Sequence, residues 1–162
     1  MHFTKGMKVL VKSKLEFDNA MKDSNINNSN VEKKDILFIS INDTEGRISE
    51  PYFENKENVL VLYFDDTTKD LEIPILGTNE IKKVVAFTKE QADEIIHFLD
   101  KNKNKKLAII HCAAGVSRSG AVGQFVNDYF GGDYFEFKKN NPNIHPNPHV
   151  LRLLNNKVNG YE

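Results

Sequence analysis

Four short apolar runs divide the chain, and each is dominated by Val, Ile and Leu with little polar alternation. They span residues 8–11, 35–39, 58–63 and 107–111. Continuous apolar runs of this length are typical of strands covered on both faces, as in a parallel sheet. The pattern therefore predicts a buried, mostly parallel sheet built from these four segments.

Segments with helical spacing lie between and after the apolar runs. The clearest is 88–100, where Thr88 and Gln91 have the spacing of a capping box ahead of an apolar face. A second helix is predicted to begin just after the 107–111 run, and a third to span about 150–158. Strands that alternate with helices predict a single α/β domain, with helices packed around a mostly parallel central sheet.

Two polar stretches are expected to lie at the surface of this domain. The Asn-rich segment 22–34 is weakly patterned and is predicted to be an exposed loop, with some helix before it. The Lys- and Asn-rich run 101–106 is interpreted as a solvated turn rather than a nucleic-acid site. No repeat or linker is visible, so residues 1–162 are expected to form one domain.

Composition narrows the class of protein. The chain has 162 residues, of which 40% are hydrophobic and 28% charged, as is ordinary for a globular domain. A net charge of −1 argues against a chain built mainly to bind nucleic acid or an anionic membrane. The single cysteine excludes an internal disulfide and favours a reducing compartment. No apolar run approaches the roughly 20 residues of a membrane span, so a cytoplasmic location is expected.

One segment combines residue types that suit chemistry on an anion: residues 110–120, Ile-His-Cys-Ala-Ala-Gly-Val-Ser-Arg-Ser-Gly. Because it joins a predicted strand to a predicted helix, its backbone N–H groups are expected to curl around an anion at the positive end of that helix. Such groups also favour the thiolate, the reactive form of cysteine. The residues predicted to bind a phosphate group here are Ala113, Ala114, Gly115, Val116, Ser117 and Arg118.

Four side chains of this segment have candidate catalytic roles. Cys112 is the predicted nucleophile, and the planar fork of Arg118 suits two phosphate oxygens at once. Ser119 is predicted to hydrogen-bond the sulfur and to help the thiolate leave, while His111 is expected to orient the loop. The alternative is that Cys112 is a small buried residue at a strand end, which leaves the matching His, Gly, Arg and Ser positions unexplained.

The segment resembles the signature loop of the protein tyrosine phosphatase superfamily, and particularly its compact dual-specificity branch. A second segment, 144–151 (Ile-His-Pro-Asn-Pro-His-Val-Leu), resembles the Pro-Asn segment that opens the last helix in that branch. The resemblance covers a core of about 7–158 and implies a dual-specificity phosphatase-like fold, without a cofactor or a metal. It also implies that Asn147 ties the last helix to the active-site loop.

The resemblance places a general acid in the loop after the strand that precedes the long helix. That loop begins Tyr-Phe-Asp-Asp-Thr-Thr at residue 63, and Asp66 is the first choice, ahead of Asp65 and then Asp70. Asp66 lies 46 positions before Cys112, a longer gap than is usual in family members. An insertion over 67–86 would account for the excess. Counting back at the usual spacing leads near Glu80, which is therefore a rival.

The predicted function is hydrolysis of phosphomonoesters through a cysteinyl-phosphate intermediate. Neutral loop residues favour a phosphorylated protein or peptide over inositol lipids, with the choice between phosphotyrosine and phosphoserine or phosphothreonine set by pocket depth. An RNA 5′-phosphatase and a phosphoinositide phosphatase of the same fold are alternatives. A catalytically silent phosphate-binding module and a rhodanese-type sulfurtransferase are alternatives of other classes. No membrane partner is expected, no nucleic acid other than an RNA 5′ end, and no oligomeric state is predicted.

Overall fold

The computed structural model describes residues 6–45 and 50–161, and four of its strands form one parallel sheet. The strands of the chain are β1 (Lys8–Ser13), β2 (Ile36–Asn42), β3 (Val59–Tyr63), β4 (Leu71–Pro74), β5 (Ile81–Val84) and β6 (Leu107–Cys112). In the central sheet the order is β1-β6-β2-β3, and each neighbouring pair is parallel. The predicted fold class and the four predicted strands are thereby confirmed.

The helices are α1 (Lys14–Asp23), α2 (Lys89–Lys101), α3 (Arg118–Tyr129), α4 (Tyr134–Asn140) and α5 (Pro148–Asn159), with a short 3-10 turn at Val31–Lys33. The three predicted helices correspond to α2, α3 and α5. At the start of α2, Thr88 and Gln91 exchange both hydrogen bonds of the predicted capping box. Helix α1 lies where some helix was expected ahead of the polar segment 22–34, and helix α4 was not predicted.

Alternate residues of the central strands enter two separate cores. Ile39 and Ile110 belong to the larger core, which the helices α2, α3 and α5 help to form. Their neighbours Phe38 and Ile109 belong to a second core on α1. Burial on both faces explains why these strands are apolar along their whole length instead of alternating.

The segment 22–34 differs from the exposed loop predicted for it. It contains the end of α1 and the 3-10 turn, and the side chains of Ile26 and Val31 are buried in the second core. Asn58 also donates a buried hydrogen bond from Nδ2 to the backbone oxygen of Val31. The segment is polar on its solvent side, but its two buried apolar side chains pack in the second core and hold it against the sheet.

The segment 67–86 contains a hairpin of β4 and β5, which forms a two-stranded sheet of its own and pairs with no other strand of the described residues. Its base is fixed by the backbone N–H of Asp65, which donates to Val85, and by Asp70, which accepts from the N–H of Ala86. At its tip Leu76 is 96% exposed. Its description as an insertion stays a prediction, and residues 1–5, 46–49 and 162 of the predicted domain lie outside the described part.

None of the helices in residues 6–45 and 50–161 has the length and apolar character needed to cross a bilayer.

Candidate active site

Cys112 is the last residue of β6 and lies at the carboxyl edge of the sheet, between β1 and β2. A five-residue loop, 113–117, leads from it into α3, which begins at Arg118. The carboxyl edge of a parallel sheet is where ligands bind in open α/β folds, and the first turn of a helix carries partial positive charge. The loop predicted from sequence is therefore located where an anion is stabilised.

The loop uses its carbonyl groups to hold itself in place. Ala113 O accepts from the N–H of Lys14 at 3.3 Å, and Val116 O and Ser117 O accept from the N–H groups that precede α5, at 2.9 and 3.0 Å. By contrast, the N–H groups of residues 113–118 donate to no group in the described part of the chain. The loop is consequently built as a cradle that leaves its N–H groups to an anion.

Gly115 allows this cradle to lie directly on the end of β1. Its φ is +72°, a region that favours glycine. A Cβ atom at this position would lie 2.6 Å from the carbonyl carbon of Lys12 and closer still to the nitrogen of Ser13. Both the backbone conformation and the contact therefore require glycine.

Ser119 contacts the sulfur of Cys112 through two groups. The Ser119 hydroxyl lies 2.9 Å from the sulfur, and its backbone N–H donates to the sulfur at 3.5 Å. Cys112 is 2% exposed and Ser119 is fully buried. Donors aimed at sulfur in the first turn of a helix stabilise a thiolate over a thiol.

Arg118 is held by an aspartate that the sequence analysis missed. Its side chain is 7% exposed, and Nη1 donates to Oδ1 of Asp43 at 2.8 Å and to the backbone oxygen of Phe64 at 2.9 Å. Asp43 directly follows β2, and Phe64 directly follows β3. The sequence could have indicated Asp43 by its position directly after a predicted strand. The carboxyl ends of parallel strands meet at one edge of a sheet, so a side chain at that position lies near the Cys112 loop.

Of the candidate acids, the structure brings Asp66 to the loop. Asp66 is exposed, and its Oδ1 accepts from Oγ of Ser117 at 2.8 Å and from Nδ2 of Asn147 at 2.9 Å. Asn147 caps α5 by accepting from two of its first N–H groups, so it links that helix to the acid loop. The backbone N–H of Asn147 also donates to the oxygen of Ser117 at 3.0 Å, which joins the start of α5 to the Cys112 loop. The role that the resemblance implies for Asn147 stays a prediction.

Asp65 occupies a different environment one residue earlier. It is 8% exposed and accepts from the hydroxyl and N–H of Thr44 and from the N–H of Val85. Burial opposes ionisation of Asp65, but these hydrogen bonds outweigh it and hold the pKa of the carboxyl below its ordinary value. A carboxyl held ionised in this way is a poor proton donor at neutral pH.

The remaining rivals lie in the hairpin segment. Oδ1 of Asp70 accepts a hydrogen bond from the N–H of Ala86 at 2.8 Å, and this bond closes the base of the hairpin. Glu80 is exposed near the hairpin tip, where its backbone bonds to Ile75 and Thr78. Neither carboxyl hydrogen-bonds to the Cys112 loop within the described residues.

His111 is fully buried beneath the loop. Its Nε2 lies 2.7 Å from Oγ of Ser40, and its ring stacks on Phe17 with centroids 4.4 Å apart. Burial, with a further contribution from the charge of Lys14, lowers the pKa of His111 to about 4. The imidazole is therefore neutral at pH 7 and fixes the end of β6 rather than supplying charge.

In residues 6–45 and 50–161, no three His, Cys, Asp or Glu side chains are grouped so that they could hold a metal ion.

No protein-family model and no curated protein sequence matches the chain significantly. Solved structures do match it in fold. The structure of Tk-PTP in the active form has a TM-score of 0.50 and 17% identity, covering 91% of this chain and 89% of that one. The PTP-2 phosphatase of Cydia pomonella has a TM-score of 0.55 and 16% identity, with coverage of 96% and 91%. A human tyrosine phosphatase-like serine/threonine/tyrosine-interacting protein has a TM-score of 0.51 and 20% identity, with coverage of 83% and 89%.

The chain therefore has the fold of the compact protein tyrosine phosphatases, and the resemblance predicted from the Cys112 loop is confirmed at the level of fold. Fold does not by itself determine activity, which depends on the residues of the site.

Proposed function

We propose that this protein is a cysteine-dependent phosphomonoester hydrolase that acts on phosphorylated proteins or peptides. One observation carries the proposal. Cys112 lies at the base of a loop whose N–H groups are left to an anion, with Ser119 on its sulfur. Arg118 and Asp66 are held at the same edge of the sheet. These are the groups that nucleophilic attack on a phosphate ester requires.

In the first step the thiolate of Cys112 attacks phosphorus, so that an S–P bond forms while the bond from phosphorus to the ester oxygen breaks. The N–H groups of the loop and the free edge of the Arg118 guanidinium hold the three terminal oxygens. Asp66, as a carboxylic acid, gives its proton to the departing alkoxide or phenoxide.

In the second step a water molecule attacks the cysteinyl phosphate. Asp66, now a carboxylate, takes the proton of that water as the O–P bond forms and the S–P bond breaks. The hydroxyl of Ser119 stabilises the thiolate that leaves Cys112. Inorganic phosphate is released, and the thiolate and the acid are restored.

The assignment of Asp66 as the acid is supported by its contrast with Asp65. Asp66 is exposed and bonded to the rim of the loop through Ser117 and Asn147. Asp65 is buried and receives three hydrogen bonds that keep it ionised. Glu80 precedes β5, at the opposite end of that strand from Val85, which bonds to Asp65 at the hairpin base.

A protein substrate is supported by the character of the loop. Ala113, Ala114 and Val116 contribute no charge, and the carboxyl groups of Asp43 and Asp66, which bond to Arg118 and Ser117, add no positive charge. Substrates with several phosphates, such as an inositol polyphosphate or a 5′-triphosphorylated RNA, need additional positive charge at the mouth. The proposed location is the cytoplasm, because a reducing compartment keeps a lone catalytic cysteine as a free thiol.

The test is hydrolysis of para-nitrophenyl phosphate by the wild-type protein and by Cys112→Ser. Activity of the wild type that is inhibited by vanadate and lost in the variant would support the proposal. Wild-type turnover no greater than that of Cys112→Ser would instead indicate a silent phosphate-binding module. Transfer of sulfur from thiosulfate to cyanide would indicate a sulfurtransferase.

Substrate class is tested by a panel measured at equal concentration. Phosphotyrosine, phosphoserine and phosphothreonine peptides are compared with an inositol phosphate and a 5′-triphosphorylated RNA. We expect the highest kcat/KM for a phosphopeptide, and phosphotyrosine is the first candidate. A higher value for the inositol phosphate or the RNA would contradict the assignment to proteins and leave the cysteine chemistry intact.

A further inference from the structure

We propose that the outer edge of β5 binds an extended, acidic segment of the phosphoprotein substrate as an added strand. This inference rests on the proposed phosphatase function, and it names the part of the substrate that is recognised beyond the phosphorylated residue. It assigns a role to the β4–β5 hairpin, which the proposed chemistry does not use.

The register of the hairpin determines which backbone groups of β5 face outwards. The N–H of Ile75 donates to the backbone oxygen of Glu80 at 3.0 Å, so these two residues form the hydrogen-bonded pair that closes the hairpin. Hydrogen-bonded pairs alternate with non-hydrogen-bonded pairs along an antiparallel ladder. Ile81 and Lys83 belong to the intervening pairs, so their N–H and C=O groups point away from β4.

Asp65 already occupies the first position along this outer edge. Its N–H donates to the backbone oxygen of Val85 at 2.7 Å, and its carboxylate accepts from the N–H of Val85 at 2.8 Å. Lys83 and Ile81 follow at roughly 7 and 13 Å from Val85 along the strand. In the described part of the chain no group is hydrogen-bonded to their outward N–H and C=O groups. Such an unpaired edge is a template for another strand.

The outer edge begins next to the proposed active site. Asp66 follows Asp65 in the chain and accepts from Oγ of Ser117, on the rim of the Cys112 loop, at 2.8 Å. A substrate whose phosphorylated residue reaches Cys112 therefore carries its neighbouring residues past the point where the outer edge starts. The opposite edge of the hairpin suits pairing less well, because Pro74 on β4 has no N–H to donate.

The charges of β5 favour an acidic occupant. Lys82 and Lys83 are adjacent on a strand that has no acidic residue. Glu72 lies opposite Lys83 on β4, yet neither lysine forms an ion pair within the described residues. Opposite charges on neighbouring strands attract, whereas like charges directly opposite each other repel. A second copy of this chain paired through the same edge would bring four lysines together, so an acidic segment of a substrate fits better.

The experiment measures kcat/KM for three probes. They are a phosphotyrosine peptide with Asp and Glu on both sides, the same peptide with Lys at those positions, and the acidic peptide N-methylated along its flanks. N-methylation removes the N–H donors of an added strand and leaves the charges in place. Wild-type turnover of para-nitrophenyl phosphate, which has no flanking chain, reports on the chemistry alone.

Two variants have matched controls. Lys83→Pro removes one outward N–H of β5 without breaking a bond to β4, and Glu72→Pro makes the same change on the outer edge of β4. Lys83→Glu reverses one charge on the proposed edge, and Lys101→Glu reverses one at the far end of α2. Thermal unfolding of each variant shows whether it remains folded.

We expect the wild type to prefer the acidic peptide to the basic one about 10-fold, and N-methylation to lower kcat/KM by a similar factor, because backbone hydrogen bonds are lost. Lys83→Pro should lower the value for the acidic peptide about 10-fold and remove its sensitivity to N-methylation. Lys83→Glu should weaken the preference for acidic flanks. Glu72→Pro and Lys101→Glu should match the wild type.

Equal values for the methylated and unmethylated acidic peptides in the wild type would overturn the inference, as would equal losses in Lys83→Pro and Glu72→Pro. A dimer in sedimentation that Lys83→Pro dissociates would assign the edge to a second copy of the chain. If the wild type hydrolyses neither para-nitrophenyl phosphate nor any peptide, the proposed function fails. Nuclear magnetic resonance then still decides the inference: the acidic peptide should shift the amide signals of Ile81 and Lys83, and unshifted signals would overturn it.

Discussion

The hydroxyl of Ser119 lies 2.9 Å from the sulfur of Cys112, although the two residues are seven positions apart and belong to different elements. Cys112 ends β6, and Ser119 is the second residue of α3. The loop between them turns back so that the helix supplies both a hydroxyl and an N–H to the sulfur. The sulfur of the proposed nucleophile is therefore in contact with the first turn of the same helix that is proposed to help bind the phosphate.

Ser119→Ala should slow breakdown of the cysteinyl phosphate more than its formation. The hydroxyl stabilises the thiolate as it leaves, and a hydrogen bond to a charged group contributes about 1.5–3 kcal/mol. We expect a burst of one equivalent of para-nitrophenol in rapid-mixing experiments, followed by turnover reduced about 10- to 100-fold. An equal slowing of both phases, without a burst, would contradict this role for Ser119.

Asp66→Asn should reduce kcat for a phosphotyrosine peptide by about 10²- to 10⁴-fold, because the leaving phenoxide then receives no proton. Asp65→Asn should mainly lower the free energy of unfolding, since it disturbs acceptors for Thr44 and Val85. Glu80→Gln should change neither kcat nor the free energy of unfolding. The assignment is wrong if the three variants have similar kcat values.

A substrate with a better leaving group separates these roles further. The defect of Asp66→Asn should shrink for an aryl phosphate whose phenol is strongly acidic, since its departure needs little protonation. A defect in Asp65→Asn that arises from altered folding should be the same for both substrates. Steady-state kinetics with the two esters provides the measurement.

Gly115→Ala should abolish activity and destabilise the protein, and Gly77→Ala is its control. Both glycines have positive φ, +72° and +79°, but a Cβ at Gly77 meets nothing within 4 Å. Gly77→Ala should therefore cost only the backbone term of about 1–2 kcal/mol. At Gly115 the added atom also meets the backbone of Lys12 and Ser13, so urea unfolding should show a larger loss. Equal losses would contradict the close contact with β1.

The protein should lose stability as the pH falls from about 6.5 towards 4, partly because of His111. Its pKa is about 4 in the folded protein and 6.5 in the unfolded chain, so the unfolded chain binds the extra proton across this range. The contribution of neutral His111 to the free energy of unfolding is fully present above pH 6.5, and about 3 kcal/mol of it is lost by pH 4.

Urea unfolding between pH 7.5 and 4.5 measures this effect. The difference between the wild type and His111→Gln isolates it, with His97→Gln, an exposed site on α2, as control. Identical pH dependence in the wild type and His111→Gln would contradict the assignment. If the variant does not fold, nuclear magnetic resonance of the His111 ring in the wild type measures the pKa of His111 in the folded protein directly.

The fold was largely predictable because its main signals are local. The apolar runs of the four central strands, and the capping box of Thr88 and Gln91, determine elements without reference to the rest of the chain. The position of the Cys112 loop between a strand and a helix was predictable for the same reason, since the residues proposed as donors and nucleophile are consecutive. Asp66 was favoured by its place after β3, and its contact with Asn147 joins two segments that each had a recognised pattern.

The residues and elements that the sequence analysis missed either depend on contacts between distant parts of the chain or bury too little apolar surface to leave a hydrophobic pattern. Asp43 has no motif of its own and acquires significance only when β2 and α3 meet at Arg118. The β4–β5 hairpin buries almost nothing, so no hydrophobic pattern marked its strands apart from the loop predicted there. Helix α4 is only seven residues long, too short for a helical period to stand out.

The packing of the Cys112 loop against β1 has a consequence for folding during synthesis. Lys8 pairs with Leu107, 99 positions later in the chain, and the loop carbonyls are held from residues as late as Asn147. Contacts so distant in sequence form slowly, and a chain is synthesised from its N-terminus. The first strand must therefore wait on the ribosome until residues 107–112 have been synthesised before its neighbour exists. A chain that ends between Cys112 and Asn147 contains the cysteine but not the groups that hold the loop carbonyls, so activity during synthesis should appear only after Asn147 has emerged.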